Sequence, residues 1–202
     1  PVTIVSVGSG VGYGNLGYSH HALQDLALMR SFPNMLILAP GNNNELVSSL
    51  KYITNNPQPS YLRLDKDECI ESKRKKNIKI IPGKLIRILN ASKKNVIIVT
   101  GKNQEIAIEM SKNKYKGYSV FSLPMWGMST KKNFFYSINK FKNIVTVEDH
   151  FQDGGFGSWV NEILSFYKKK INLTSEFISA NSIYDVGSKI YLLKKYGPKL
   201  KK

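Results

Sequence analysis

His20 and His21 stand together at the end of a loop with glycines at 8, 10, 12, 14 and 17, just before the run ALQDLALMR. Imidazole titrates near neutral pH, so such a pair can relay a proton or polarise a substrate oxygen. The two histidines lack the four-residue spacing of a helical zinc site, and His150 is the only other histidine, so no metal site is expected in this chain. A second constellation, Glu148, Asp149 and His150, precedes the glycines of FQDGGFGSW. Its residue types suit acid and base work, but structural ion pairs use the same types, and Glu148, Asp149 and Asp153 would repel a phosphate from that loop. Close packing of the loop against another domain is the expectation.

The elements that position these groups follow from the apolar pattern. Val2, Ile4, Val5 and Val7 form a run expected to be a strand covered on both faces, as in a parallel sheet. It opens the chain without a preceding turn or cap, so a segment upstream is expected. Ser19 is the candidate N-cap of a helix over 19–31, which sets His20 and His21 in its first turn near the positive end of the dipole. MLILA at 35–39 is a buried strand, 42–55 a helix stopped by Asn55, Asn56 and Pro57, and SYLRL at 60–64 a strand with Arg63 near its C-terminal end. In a parallel sheet ligands gather at the carboxyl ends of the strands, where Arg63 and the glycine loop fall.

From 65 to 82 the chain turns charged and loses periodicity, as an interdomain linker does. Strands at 95–100, 118–123 and 144–147, a weaker one at 176–178, and helices at 104–110, 131–141 and 154–167 follow; the lysine-rich tail after Tyr191 is expected to be partly disordered. The alternation predicts an α/β protein of two units, each with a mainly parallel sheet.

The 202 residues, 42% hydrophobic, suffice for a buried core. No apolar run has the roughly 20 residues of a membrane span, and a cytoplasmic protein without a membrane partner is expected. The lone Cys69 has no partner for a disulfide or metal and reads as a surface thiol. The charge of +16 comes mainly from lysines spread along the chain, with SKRKK at 72–76 the densest cluster, so nucleic acid is not an expected partner. The glycine loop fits a dinucleotide fingerprint poorly: position 15 is Asn where glycine is required, and no acidic residue follows at the end of the next strand.

GVGYGNLGYSHHALQDLALMRSFPNMLILAPGNNNELVSSL, followed by PSYLRL, resembles the second half of the pyrimidine-binding domain of transketolase-like, thiamine-diphosphate-dependent enzymes. VIIVTGKNQEIAIEM and IVTVEDHFQDGGFGSWVNEIL resemble their C-terminal domain. The resemblance implies a truncated pyrimidine-binding unit over 1–66, a linker over 67–83 and a C-terminal unit over 84–202. His20 matches the histidine that faces the reactive carbon of the cofactor and the substrate oxygens, and Arg63 the arginine that holds a sugar phosphate, a task its planar fork suits. His21 matches a second histidine of the synthase branch. Many transketolases carry an aspartate in DGPTH where this loop reads NLGYSH.

The implied activity is transfer of a two-carbon ketol unit between sugar phosphates with thiamine diphosphate and Mg. The implied partners are a sugar-phosphate substrate and an N-terminal diphosphate-binding subunit or domain, in a homo-oligomer such as a dimer. The residues that activate the aminopyrimidine and hold the diphosphate fall outside this chain in the resemblance, so the chain alone is expected to be inactive. Two alternatives stay open: the beta subunit of a 2-oxo acid dehydrogenase, and a noncatalytic assembly module.

Overall fold

The computed structural model describes residues 1–67 and 79–200. Cys69, the basic run at 72–76 and most of the charged stretch before Pro82 lie outside the described residues. In chain order the strands are β1 (Thr3–Val7), β2 (Leu36–Leu38), β3 (Ser60–Leu64), β4 (Ile86–Leu89), β5 (Asn95–Val99), β6 (Ser119–Ser122), β7 (Met125–Trp126), β8 (Asn143–Val147) and β9 (Asn172–Glu176). The helices are α1 (Asp25–Met29), α2 (Asn43–Asn55), α3 (Gln104–Lys112), α4 (Lys131–Ile138), α5 (Phe156–Phe166) and α6 (Lys189–Tyr196).

The strands form two mostly parallel sheets, as the alternation predicts. The first has the order β1-β3-β2-β7 and the second β4-β6-β5-β8-β9. β1, β3 and β2 run parallel, while β7 joins β2 antiparallel through Ile37 opposite Trp126 and Leu38 opposite Met125. A segment from the second half of the chain thus completes the first sheet. Trp126 turns its ring into a fully buried aromatic group with Phe134, Phe156 and Trp159, and its indole N–H donates to Thr100 Oγ1 at 3.0 Å. One core cluster contains Leu26, Ile37 and Tyr61 beside Val96, Ile98 and Ile144, so apolar burial is continuous across the two sheets.

α2 forms where its apolar spacing and its cap agree. Asn42 Oδ1 accepts from the Glu45 N–H at 3.0 Å, while the Gly41 N–H donates to the Glu45 carboxylate at 2.7 Å, so two amides at the helix entrance are satisfied. Asn42→Ala should lower stability by about 1 kcal/mol. A denaturant midpoint unchanged by that substitution would show that the cap contributes nothing.

Four expectations are corrected. The helix expected over 19–31 begins at Asp25; residues 18–20 form a separate 3-10 turn, and His21 is extended with ψ 134°. The cause is long-range: the Ala22 N–H donates to the Gly10 carbonyl at 2.8 Å, and the Gly10 N–H donates back at 3.2 Å, which holds residue 22 out of a helix. The first strand forms, but as the edge of its sheet, with Val2, Ile4, Val5 and Val7 all exposed. The strand expected at 176–178 lies earlier, at Asn172–Glu176, where it pairs residue for residue with β8. The part of the tail up to Tyr196 is helix α6, capped by Ser188, because Leu192 packs against Val11 and Leu23 and Lys189 Nζ binds Asp65 at 2.8 Å; the last two lysines lie outside the described residues.

Candidate functional site

The carboxyl ends of β1 and β3 build one wall of the site. Val7 pairs with Leu64, and the Gly8 and Ser9 amides both donate to the Leu64 carbonyl, at 3.0 and 3.1 Å, so the glycine loop starts directly beside Arg63. Gly10 has φ +61°, and a Cβ there would lie 2.7 Å from the Asp149 carbonyl. Only glycine allows both this conformation and so close an approach of the loop that follows β8. The expected packing of the second glycine cluster is present: a Cβ on Gly154 would meet Ala27 at 2.8 Å, and the Phe151 N–H donates to the Leu23 carbonyl at 3.1 Å.

His20 is exposed, with Nδ1 3.0 Å from Ser19 Oγ. One ring nitrogen therefore has a local partner in Ser19. His21 is half-buried beside Tyr18, ring edge to ring face at 6.2 Å, and neither of its buried nitrogens has a hydrogen-bond partner. Burial pushes its pKa down, the Gly14 backbone opposes that, and His20 adds to it, so the ring is held neutral more readily than a free histidine.

Arg63 is buried, at 3% exposure, and its guanidinium is turned inward. Nε donates to Asp25 Oδ2 at 2.7 Å, Nη1 to Asp149 Oδ1 at 2.6 Å and Nη2 to the Ala22 carbonyl at 2.9 Å. The third contact ties it to the residue after His21. Burial opposes its charge, but Asp149 and Asp25 outweigh burial and hold it cationic. Asp25 Oδ2 also accepts from the Tyr61 hydroxyl at 2.8 Å, while its Oδ1 is buried without a partner. Burial and the Asp25 charge push the Tyr61 hydroxyl up to about 12, so it stays a donor.

The network continues through Asp149. Burial alone would raise its pKa, but the Arg63 charge and His150 hold it well below the usual carboxylate range. His150 Nδ1 lies 3.5 Å from Asp149 Oδ1, and its Nε2 lies 2.8 Å from Glu148 Oε2. Burial would lower the His150 pKa, yet hydrogen bonds to Asp149 and Glu148 raise it to about 9. Nε2 is also 3.0 Å from the Phe156 amide nitrogen. It cannot donate to Glu148 and accept from Phe156 at once; the protonated ring serves Glu148 Oε2, which has no other donor, and the neutral ring serves Phe156. Glu148 Oε1 is fixed by Thr146 Oγ1 at 2.9 Å and the Gly157 N–H at 2.8 Å. Asp25, Arg63, Asp149, His150 and Glu148 thus form a chain of alternating charge that joins α1, the end of β3 and the loop after β8.

The structure therefore brings Arg63 to the backbone beside His21 and connects it to the acidic cluster at 148–150, while His20 points away from that network into solvent. Sequence reading did not find Asp25 or Tyr61. Asp25 stands five residues past His20 in a run that reads as an ordinary amphipathic helix, and only the register of β3 reveals its partner. Among the described residues no group of three or more His, Cys, Asp or Glu is gathered to hold a metal ion.

Residues 1–70 match the transketolase pyrimidine-binding domain. One subunit of the apulose-4-phosphate transketolase of Actinobacillus succinogenes is 29% identical over 199 residues, which cover 97% of this chain and 63% of that protein. A putative transketolase C-terminal section of Methanocaldococcus jannaschii is 29% identical over 202 residues, covering 97% of this chain and 62% of its own. Among solved structures, a split-gene transketolase described as an inactive beta4 tetramer superposes with a TM-score of 0.76 at 25% identity, over 98% of this chain and 62% of that one. The chain thus spans less than two thirds of the length of each of these relatives. In sequence and in fold the chain is similar to the C-terminal portion of transketolases, with residues 1–70 similar to the pyrimidine-binding domain of that family.

Proposed function

We propose that this chain acts with a diphosphate-binding partner subunit or domain in an enzyme that moves a two-carbon ketol unit between sugar phosphates, using thiamine diphosphate and Mg. The observation that carries the reading is that Arg63, near the carboxyl end of β3, donates to the carbonyl of Ala22, the residue directly after His20 and His21, in a transketolase-like fold. We place the working enzyme in the cytoplasm as a homo-oligomer, and assign the Mg and diphosphate ligands to the partner. Two relatives, one named as a single subunit of a transketolase and the other a split-gene transketolase inactive as a beta4 tetramer, support a chain that needs a partner for activity.

The residues present fit one side of such a site. Both His21 nitrogens and Asp25 Oδ1 are buried without partners in the isolated chain, and a bound cofactor or substrate would supply them. Thiamine diphosphate, when bound, supplies the carbon nucleophile for cleaving the ketose carbon–carbon bond. This chain's part is to orient the sugar and move protons. The exposed His20 ring is the group for giving a proton to, or taking one from, a substrate oxygen. Arg63 is the anchor for the substrate phosphate.

His20→Ala tests the reading in enzyme assembled from this chain, its partner and the cofactor. Turnover should fall about a hundredfold or more, the range for loss of general acid or base help. Thermal stability should be unchanged because the ring is exposed. A change in turnover below about threefold would remove His20 from the reaction.

A further inference from the structure

Arg63 is surrounded by more negative charge than it carries. Two carboxylates, Asp25 and Asp149, sit at 2.7 and 2.6 Å from its nitrogens; Arg63 and Asp149 are buried and Asp25 is partly buried. A phosphate dianion approaching this guanidinium meets a local charge of the wrong sign, and the repulsion is weakly screened because water is largely excluded. For Arg63 to hold a phosphate, one carboxylate must leave or be neutralised.

The two carboxylates are not equally fixed. Asp25 Oδ2 is held by Arg63 and, independently, by the Tyr61 hydroxyl at 2.8 Å on the same strand as Arg63. Asp149 lies on the loop after β8, and its Oδ1 is shared between Arg63 at 2.6 Å and the His150 ring at 3.5 Å. The His150 ring, whose pKa its carboxylate neighbours raise to about 9, lies 3.5 Å from Asp149 Oδ1 and, when protonated, offers that carboxylate a second cation. We propose that Asp149 is a positioning residue that acts as an internal counter-anion: it holds Arg63 until a substrate phosphate arrives, and then passes its contact to His150. The proposal rests on the reading of Arg63 as the phosphate anchor and deepens it. It makes the loop of the second sheet the element that decides when the anchor is open.

An internal competitor reduces apparent affinity by the fraction of time the site is open. If Asp149 holds Arg63 nine times in ten or more, phosphate binding is weakened about tenfold or more. Asp149→Asn keeps the shape and a hydrogen-bond acceptor while removing the competing charge, so inorganic phosphate should bind that variant at least about tenfold more tightly than the unaltered chain. The unaltered chain supplies a second readout that does not depend on the variant folding. In a phosphate titration followed by nitrogen-15 NMR, the Arg63 Nε and His150 ring signals should move together along one binding curve.

If the Arg63 signal responds but His150 does not, or if Asp149→Asn binds phosphate no more tightly, the exchange is overturned while Arg63 stands as the anchor. If phosphate moves the Arg63 signal in neither protein at any soluble concentration, the anchor reading falls, and the proposal with it.

Discussion

Arg63→Ala should cost the fold about 3 to 5 kcal/mol, a loss that precedes any effect on substrate. The cause is electrostatic. The substitution leaves Asp149 buried and Asp25 partly buried with their shared cation gone, and removing one partner of a buried ion pair is far more damaging than exchanging the whole pair for apolar groups. It also frees the Ala22 carbonyl, which Nη2 holds at 2.9 Å. The double variant Arg63→Ala, Asp149→Ala should recover part of the loss, because one orphaned carboxylate is removed with its partner. Urea unfolding of the three proteins measures this. A single variant within about 1 kcal/mol of the unaltered chain would mean the network does not hold the two sheets together. The family role makes Arg63 a residue whose loss raises the Michaelis constant for phosphorylated substrates; the structure adds that such a variant must first be shown to fold.

The second large effect is a loss of stability in mild alkali. His150 titrates at 6.5 when unfolded and at about 9 in the folded chain, a difference worth about 3 kcal/mol. The sign follows from a folded pKa that is raised. Below pH 6.5 the ring is protonated in both states and the contribution is complete. Between 6.5 and about 9 the unfolded chain releases its proton while the folded chain keeps it, so stability falls as pH rises. Asp149 behaves in the opposite sense, its contribution being lost only as pH drops below its ordinary value of 3.8. His21, with its pKa lowered, changes its contribution below pH 6.5 and does not share the alkaline window. Unfolding free energies at about pH 6, 7.5 and 9 should therefore decline steadily, and His150→Gln should flatten that decline. A stability that is level across this range in the unaltered chain would show that His150 is neutral in the fold.

What can be read from the sequence divides by range. β3 and α2 fall at 60–64 and 43–55, close to expectation, because their signals are local: apolar spacing, the Asn42 cap, and the Asn55–Pro57 stop. Helix α1 is shorter than its pattern suggests for a reason no window around it contains, the bridge between Ala22 and Gly10. β4 escapes notice because only alternate residues are partly buried in a short run, and β7 because two residues become a strand only where β2 is waiting. The glycines at 10 and 154 signal close approach, which is what their surroundings require, although their neighbours, Asp149 and Ala27, lie more than a hundred residues away in the chain. The candidate site is legible in the same measure. His20, His21 and Arg63 can be named from type and resemblance, while the carboxylates that govern Arg63 depend on a tertiary arrangement that pattern alone does not carry.

The most direct measurement combines this chain with a diphosphate-binding partner, thiamine diphosphate and Mg, and follows a phosphorylated ketose and an aldose phosphate by carbon-13 NMR. A two-carbon unit should pass from the ketose to the aldose phosphate only when both chains and the cofactor are present, and His20→Ala should abolish most of the transfer. Assembly with bound cofactor, no ketol transfer, and decarboxylation of a 2-oxo acid instead would contradict the proposed function.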